Sequence, residues 1–305
     1  MLLSIILSTF ILNINAGVLP IPTPKITETL LKEIPAKKFI LSKEEVNSLK
    51  KKLGLGTERL LIELIPVAKR NALPPISNYY VGAVGLAKSG KIYFGNNLEF
   101  KGTNISQTVH AEQFLSTLSF LNYDKLKKIA ISAEPCGHCR QLLNEIQGAL
   151  KELKILVPGK EAKTLAQLLP DSFGPDNLDI DIFIYAKRDN KIKNNKKNEQ
   201  ARQAVDSANP SYSPYSKSYS GVAIKTKDGS IYTGFYIENA AFNPSIQPIT
   251  AAVINLLGSG KSYEDIKEVT LAEFKNAPVK QTKISKDLLR SIAPKAKFRT
   301  VFLEV

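Results

Sequence analysis

The chain has 305 residues, of which 43% are apolar, and a formal net charge of +14. This length and composition exclude a disordered chain and allow two domains with cores of their own. Two cysteines are too few for a disulfide framework. The excess charge is uneven, because residues 187–202 hold seven basic and two acidic side chains. We interpret that stretch as a solvated linker and expect no nucleic-acid partner.

The N-terminal segment is unusually apolar. Residues 2–12 are almost wholly apolar, and no charged side chain precedes Lys25. Residues 1–16 resemble a secretory signal peptide without its usual basic start, and an apolar helix packed on the body is the alternative. Prolines at residues 20–24 end the segment too early for a membrane span, so we expect no stable membrane insertion. We expect a cytoplasmic protein, with export through residues 1–16 as the alternative.

The pattern of apolar residues then predicts alternating helices and strands. The predicted helices cover residues 26–51, 57–71, 110–120 and 136–150, and the predicted strands cover residues 81–86, 91–95, 129–133, 155–157 and 179–186. Strands interleaved with helices are typical of a three-layer α/β/α domain, which is the fold class that we expect.

The second half of the chain repeats the first. Residues 75–100, shifted by 139 positions, align without a gap on residues 214–239 and share ten of 26 residues. Past that block the register moves by one, and a threonine and an alanine stand where the first copy has His110 and Glu112. We therefore expect a tandem duplication in which the second copy keeps the fold and loses the chemistry.

This repeat divides the chain into four predicted parts. The first copy and the degenerate second copy are the two folded domains, and they are preceded and joined by shorter segments. The parts are an N-terminal apolar and helical segment (residues 1–55), the domain of the first copy (residues 56–176), a connecting strand with the basic linker (residues 177–200) and the degenerate domain (residues 201–305).

All cysteines and histidines of the chain lie in two short motifs. His110-Ala111-Glu112 begins a predicted helix, and Pro135-Cys136-Gly137-His138-Cys139 follows a predicted strand. A catalytic zinc site needs three protein ligands and an open position for water, and His110, Cys136 and Cys139 can supply the three. Glu112 does not share a helix face with His110, so it can stand beside the metal and move protons. We interpret His138 as structural, because the ligand set is complete without it.

The same pattern sets the number of metal ions. Because the second copy lacks every ligand, we expect one Zn²⁺ per chain. A redox-active Cys-x-x-Cys pair is the alternative interpretation of Cys136 and Cys139, but it leaves His110 and Glu112 without a role.

Together these motifs resemble the cytidine deaminases, in their larger two-domain form. The His-x-Glu and Pro-Cys-x-x-Cys motifs are the signature of zinc deaminases. Two further stretches resemble the start of the family's catalytic domain and its ribose-binding strand end: Pro75-x-Ser77-Asn78-Tyr79-x-Val81-Gly82-Ala83 and Tyr93-Phe94-Gly95-x-Asn97-x-Glu99-Phe100. The similarity extends from about Leu41 to the C-terminus.

The resemblance implies hydrolytic deamination of cytidine and 2′-deoxycytidine, with release of ammonia. In it, Glu112 carries protons to the ring nitrogen and to the leaving amine. It also implies a homodimer in which Phe173, within Asp171-Ser172-Phe173-Gly174-Pro175, helps to close the partner's site. The implied substrate-binding residues are Asn97 and Glu99 on the ribose, Leu98 between them, Tyr79 against the pyrimidine and Ala111 through its backbone.

Two other functions share part of this pattern. A polynucleotide cytosine or adenine deaminase has the same zinc signature. However, Asn97 and Glu99 would bind the sugar hydroxyls, and a polynucleotide needs this part of the site free so that its strand can pass. A non-catalytic protein stabilised by zinc would need neither Glu112 nor an open metal position. A deaminase of free nucleosides is therefore the leading hypothesis.

Overall fold

The computed structural model describes residues 17–182 and 184–304. The apolar segment at residues 1–16, and with it the choice between a signal-like peptide and a packed helix, lies outside the described residues. Within the described ranges, no helix combines the length and the apolar character that crossing a membrane requires.

The segment before the first domain contains two helices rather than one. Helix α1 (Pro24–Glu33) and helix α2 (Lys43–Leu53) are separated by strand β1 (Ile40–Leu41). The helical prediction over residues 26–51 is therefore right for both ends of this range and wrong for residues 34–42, which are not helical. The chain leaves α1 at Pro35, and Phe39 stacks on Phe114 with ring centroids 5.1 Å apart. Ser42 then begins α2 through a capping box with Glu45.

The first domain is built on a six-stranded mixed sheet in the order β1-β3-β2-β4-β5-β6. Strands β2, β3 and β4 pair antiparallel, whereas β4 and β5 run parallel. The remaining elements are, in chain order, α3 (Thr57–Glu63), α4 (Ile65–Lys69), β2 (Gly82–Ala87), β3 (Ile92–Asn96), α5 (Ala111–Leu121), β4 (Leu126–Ile131), α6 (Gly137–Leu143), α7 (Ala149–Glu152), β5 (Lys154–Leu156), β6 (Lys163–Thr164) and α8 (Leu165–Leu168).

Two glycines show which helix covers each face of this sheet. A Cβ on Gly82 would lie 2.5 Å from the backbone nitrogen of Lys69, at the end of α4. A Cβ on Gly95 would lie 2.2 Å from the backbone oxygen of Ala111, at the start of α5. The two glycines face opposite sides, because Gly82 pairs with Asn96 and side chains alternate along a strand. Helices therefore cover both faces, and the three-layer prediction is confirmed.

The predicted strand over residues 179–186 is wrong. The described part of this segment holds no strand, and a 3₁₀ turn (Pro175–Leu178) precedes it. Ile182 is exposed, whereas Ile184 and Tyr185 pack individually against the core instead of in a ladder. Ile184 is in the core, and the Tyr185 ring packs edge-on against Phe120 with its hydroxyl 2.8 Å from the Ser119 Oγ. Alternation of apolar and polar residues indicated burial here but not its geometry.

The second domain repeats the central arrangement with a four-stranded sheet in the order β10-β9-β7-β8. As in the first domain, the hairpin pairs antiparallel with the next strand, which is followed by a parallel neighbour. The tandem duplication is thus confirmed. Its elements are α9 (Glu199–Ala208), β7 (Ser220–Thr226), β8 (Ile231–Phe235), α10 (Pro248–Gly258), β9 (Ile266–Glu273), α11 (Thr282–Ile292) and β10 (Lys297–Phe302).

The two domains pack through α5 and α10 and share a buried carboxylate. Glu145, just after α6, accepts hydrogen bonds from the Tyr212 hydroxyl at 2.7 Å, from the Tyr215 hydroxyl, and from the backbone nitrogen of Ala240 at 3.1 Å. Burial raises the pKa of Glu145 above its usual value. All three donors belong to the second domain, so this carboxylate fixes the end of α6 against that domain.

Candidate active site

Two helix starts bring the histidine and the two cysteines together. His110 is the residue before α5, Cys136 is the residue before α6, and Cys139 lies in the first turn of α6. The His110 Nδ1 atom lies 3.4 Å from each Sγ atom, and the three donor atoms are within 4.8 Å of one another. Around a tetrahedral zinc ion, a nitrogen and a sulfur ligand are about 3.6 Å apart. The geometry and the donor set therefore fit zinc.

The electrostatics of the cluster favour a thiolate at Cys136. A hydrogen bond with Cys139, followed by one with His110, lowers the pKa of Cys136 to about 3. The hydrogen bond with Cys136, together with burial, raises the pKa of Cys139. The hydrogen bond with Cys136 raises the pKa of His110. Because a thiolate is the form of cysteine that binds metal, Cys136 is prepared for this role.

Glu112 is buried in the first turn of α5, close to the cluster. Its side chain is 4% exposed, and burial raises its pKa. It lines a cavity of about 280 Å³ that is also lined by His110 and Cys136 of the cluster. The wall of this active-site cavity is formed by Ser77, Tyr79, Val81, Asn97, Glu99, Thr108, His110, Ala111, Glu112, Ala133, Glu134 and Cys136.

Asn97 and Tyr79 meet at the wall of the active-site cavity. The Asn97 Oδ1 atom accepts a hydrogen bond from the backbone nitrogen of Val81 at 2.9 Å, and its Nδ2 atom donates to the backbone oxygen of Tyr79 at 2.8 Å. The Tyr79 side chain is 62% exposed. Asn97 therefore fixes the segment that presents Tyr79 to the cavity.

Glu99 holds the turn that precedes Tyr79. Its Oε2 atom accepts hydrogen bonds from the backbone nitrogens of Ile76 and Ser77, both at 2.8 Å, and its Oε1 atom accepts one from the Ser77 hydroxyl. Burial raises the pKa of Glu99, but these hydrogen bonds outweigh burial and leave the pKa below its usual value. Glu99 is thus a charged acceptor fixed at the cavity wall.

Most of the chain is similar to known zinc-binding deaminases. Two family profiles, both described as the cytidine and deoxycytidylate deaminase zinc-binding region, match residues 57–155 and 165–286. The chain is 42% identical over 243 residues to a cytidine deaminase from Serratia proteamaculans. These residues cover 79% of this chain and 82% of that relative. The chain belongs to the cytidine deaminase family. The resemblance drawn from the motifs is confirmed.

Solved structures of the family match about a third of the chain. Cytidine deaminase from Mycobacterium leprae is 32% identical and covers 34% of this chain and 90% of its own, with a TM-score of 0.31. Cytidine deaminase from Burkholderia pseudomallei is 28% identical and covers 39% of this chain and 100% of its own, with a TM-score of 0.34.

Other residues singled out in the sequence of this deaminase homologue lie away from the active-site cavity. The Leu98 side chain is buried, and its backbone is bonded in both directions to Val109. Phe173 is 46% exposed, and its carbonyl oxygen accepts hydrogen bonds from Gln141 at 2.8 Å and Asn144 at 3.0 Å. The His138 ring lies 6.2 Å from that of His110, outside the group of donor atoms.

Five residues of the cavity wall had no role in the sequence interpretation: Ser77, Val81, Thr108, Ala133 and Glu134. Ser77 holds Glu99, whereas Thr108 and Ala133 complete the wall on either side of the metal motifs. Ser77 could have been found, because it is one of the positions identical in the two copies, where Ser216 is its counterpart. Thr108 and Ala133 carry no comparable signal.

The second domain keeps the turn but not the metal donors. Glu238 accepts hydrogen bonds from the backbone nitrogens of Tyr215 at 2.9 Å and Ser216 at 3.1 Å, and from the Ser216 hydroxyl. Thr250 and Ala252 stand at the positions of His110 and Glu112. Within residues 17–182 and 184–304, the first-domain cluster is the one group of three such donors close enough to hold a metal ion.

Proposed function

We propose that this chain catalyses the zinc-dependent hydrolytic deamination of cytidine and 2′-deoxycytidine to uridine and 2′-deoxyuridine, with release of ammonia. The observation that carries the proposal is the position of Glu112. It is buried beside a His-Cys-Cys donor set and lines a cavity whose wall also holds Asn97 and Glu99. The comparisons give no support to the polynucleotide alternative.

The metal and Glu112 divide the chemistry between them. His110, Cys136 and Cys139 would hold zinc, which when bound supplies a Lewis acid that makes water nucleophilic at neutral pH. Glu112 takes a proton from the attacking water and delivers it to the ring nitrogen next to C4. It then moves the hydroxyl proton to the amino group, which leaves as ammonia. One water is consumed, and the products are the keto base and ammonia.

The cavity wall orients the nucleoside for this transfer. Asn97 and Glu99 bind the ribose, the backbone at Ala111 contacts the base, and Tyr79 packs against the pyrimidine. Leu98 supports the strand end between the two ribose-binding residues. Because Glu99 is already held by the turn, it reaches the ribose hydroxyl without an ordering cost, which favours substrates that carry a free sugar.

The two copies offer a matched pair to test the role of Glu99. Glu99→Gln and Glu238→Gln each weaken the equivalent turn in their own domain, so we expect both variants to lose a similar, small amount of stability. Only Glu99→Gln is expected to raise KM for cytidine, by about tenfold to a hundredfold, because a hydrogen bond to a charged group is lost. Steady-state kinetics and thermal unfolding of both variants measure this. Equal KM values in the two variants would contradict the ribose role.

The proposal also covers the oligomeric state and the cellular location of the protein. We expect a homodimer in which Phe173 closes the partner's active-site cavity. Its exposed ring and its carbonyl, fixed by Gln141 and Asn144, support this role. A cytoplasmic location suits a site built on reduced cysteines. The four-part domain division made from the sequence stays a prediction.

An absorbance assay with four substrates tests the proposed function. Cytidine and 2′-deoxycytidine should be deaminated, whereas cytidine monophosphate and a short cytosine-containing strand should react far more slowly. The zinc-loaded protein is used in each assay, and ammonia is measured in parallel. Activity confined to the strand would make the proposed function wrong.

A further inference from the structure

A second cavity lies between the two domains, behind the wall of the active-site cavity. This interdomain cavity has a volume of about 690 Å³. It is lined in the first domain by the end of α4 and the end of β3, and in the second domain by the turn after α10 and the end of α11. Glu99 lines both cavities, and the turn that Glu99 holds separates them.

Four buried polar atoms, each of a residue that lines this cavity, have no hydrogen-bond partner among the described residues. They come from both domains: Arg70 Nε, Asn71 Nδ2, Asn96 Oδ1 and the Tyr263 hydroxyl. The Asn96 side chain is only 1% exposed. Buried polar atoms in folded proteins almost always have partners, so four at a single cavity indicate a ligand that supplies them. Three of these groups can donate, and Asn96 Oδ1 must accept.

The charges of the interdomain cavity favour an anion. Within residues 17–182 and 184–304, neither Arg70, Lys37 nor Lys101 forms an ion pair, although all three line the cavity. The Arg70 Nη atoms donate to backbone oxygens, which leaves Nε directed elsewhere. The wall also carries two carboxylates, Glu264 and Glu99, and Glu99 is already satisfied by the turn. Four cationic side chains line the same wall, so the wall keeps a positive excess.

The wall also has an apolar part. Phe39 and Leu257 are buried there, and the Tyr80 ring is exposed at the rim. Inorganic phosphate would leave most of this volume and the Asn96 acceptor unused. We propose that the interdomain cavity binds a nucleotide. Its phosphate oxygens accept from Arg70, Asn71 and Tyr263, and a sugar hydroxyl or a base N–H donates to Asn96.

Calorimetric titration of the zinc-loaded full chain tests this site with uridine triphosphate, adenosine triphosphate and inorganic phosphate as separate probes. Tyr263→Phe removes one unpartnered hydroxyl and leaves the ring, so the fold should be kept. It should weaken nucleotide binding about threefold to tenfold, and Lys101→Gln should do the same. Lys69→Gln removes an equal charge one residue before Arg70, outside the cavity wall, and should bind as the wild type does.

The same titration separates the two cavities. Tyr79→Ala changes only the active-site cavity, so nucleotide binding should be unchanged even if the proposed deaminase function is wrong. The proposal is overturned if neither nucleotide binds more tightly than about 1 mM, which is the limit of weak specific binding. It is also overturned if Tyr263→Phe and Lys101→Gln, with unchanged melting temperatures, bind like wild type. The proposal is overturned as well if inorganic phosphate binds as tightly as both nucleotides. It is also overturned if Tyr79→Ala no longer binds nucleotide.

Discussion

Glu112→Gln is expected to lower kcat for cytidine by about 10⁴-fold while the protein keeps its zinc, the upper range for a positioned acid-base group. Glutamine has nearly the same shape, so the start of α5 and the position of His110 should be unchanged. What the amide cannot do is accept a proton from water and release it again. Because Glu112 serves both proton transfers in the proposed mechanism, its loss affects the formation and the breakdown of the tetrahedral carbon.

The measurement combines metal analysis with single-turnover and steady-state kinetics. Glu28→Gln, on the exposed side of α1 and paired with Lys32, is the control for the loss of a carboxylate. It should have wild-type kcat and zinc content. A Glu112→Gln enzyme that deaminates cytidine at the wild-type rate would assign the proton transfers to another group. A variant that loses zinc would show that Glu112 supports the donor set as well.

The duplication explains why the core of the fold could be predicted from the sequence. The hairpin strands and α5 follow local periodicity, and the second copy repeats the same pattern. The segment before the first domain lacks such a check. Its break between α1 and α2 depends on Phe39 reaching the ring of Phe114, a contact between residues far apart in the chain. The strand expected over residues 179–186 failed for the same reason, because Ile184 and Tyr185 are buried by distant partners.

The site was more predictable than the structure around it. The donor set follows from motif spacing, and the structure brings His110, Cys136 and Cys139 together. The role of Glu99 could be predicted only in part. Glu238 makes the same hydrogen bonds in a copy without metal donors, so holding the turn does not depend on a metal site. The interdomain cavity could not be predicted, because its residues come from both ends of the chain.

The degenerate copy contributes structure to the site that it does not itself contain. Helix α6 carries Cys139, and its Gln141 backbone oxygen accepts a hydrogen bond from Asn239 at 3.0 Å. Glu145, just beyond α6, accepts its hydrogen bonds from Tyr212 and Tyr215 of the second domain. The second domain, which lacks the metal donors, thus supports the helix that carries one of them.

One zinc ion per chain is the second expected result with a large effect. His110→Ala removes the single nitrogen donor and leaves two thiolates, which cannot complete a three-ligand catalytic site. We expect its zinc content to fall from about one to about zero per chain, because a catalytic site needs all three ligands. Activity should fall to background, since water would no longer be activated.

Thr250→Ala is the matched control, because Thr250 occupies the position of His110 in the second domain and contacts Gln247 instead of a metal donor. It should keep one zinc ion and full activity. Metal analysis of the wild type and both variants, after gel filtration in metal-free buffer, makes the comparison. Two zinc ions in the wild type would mean that the second domain also binds metal, through residues that do not correspond to the ligands of the first domain. Full zinc content in His110→Ala would remove His110 from the ligand set, and the proposed geometry around Cys136 and Cys139 would have to be abandoned.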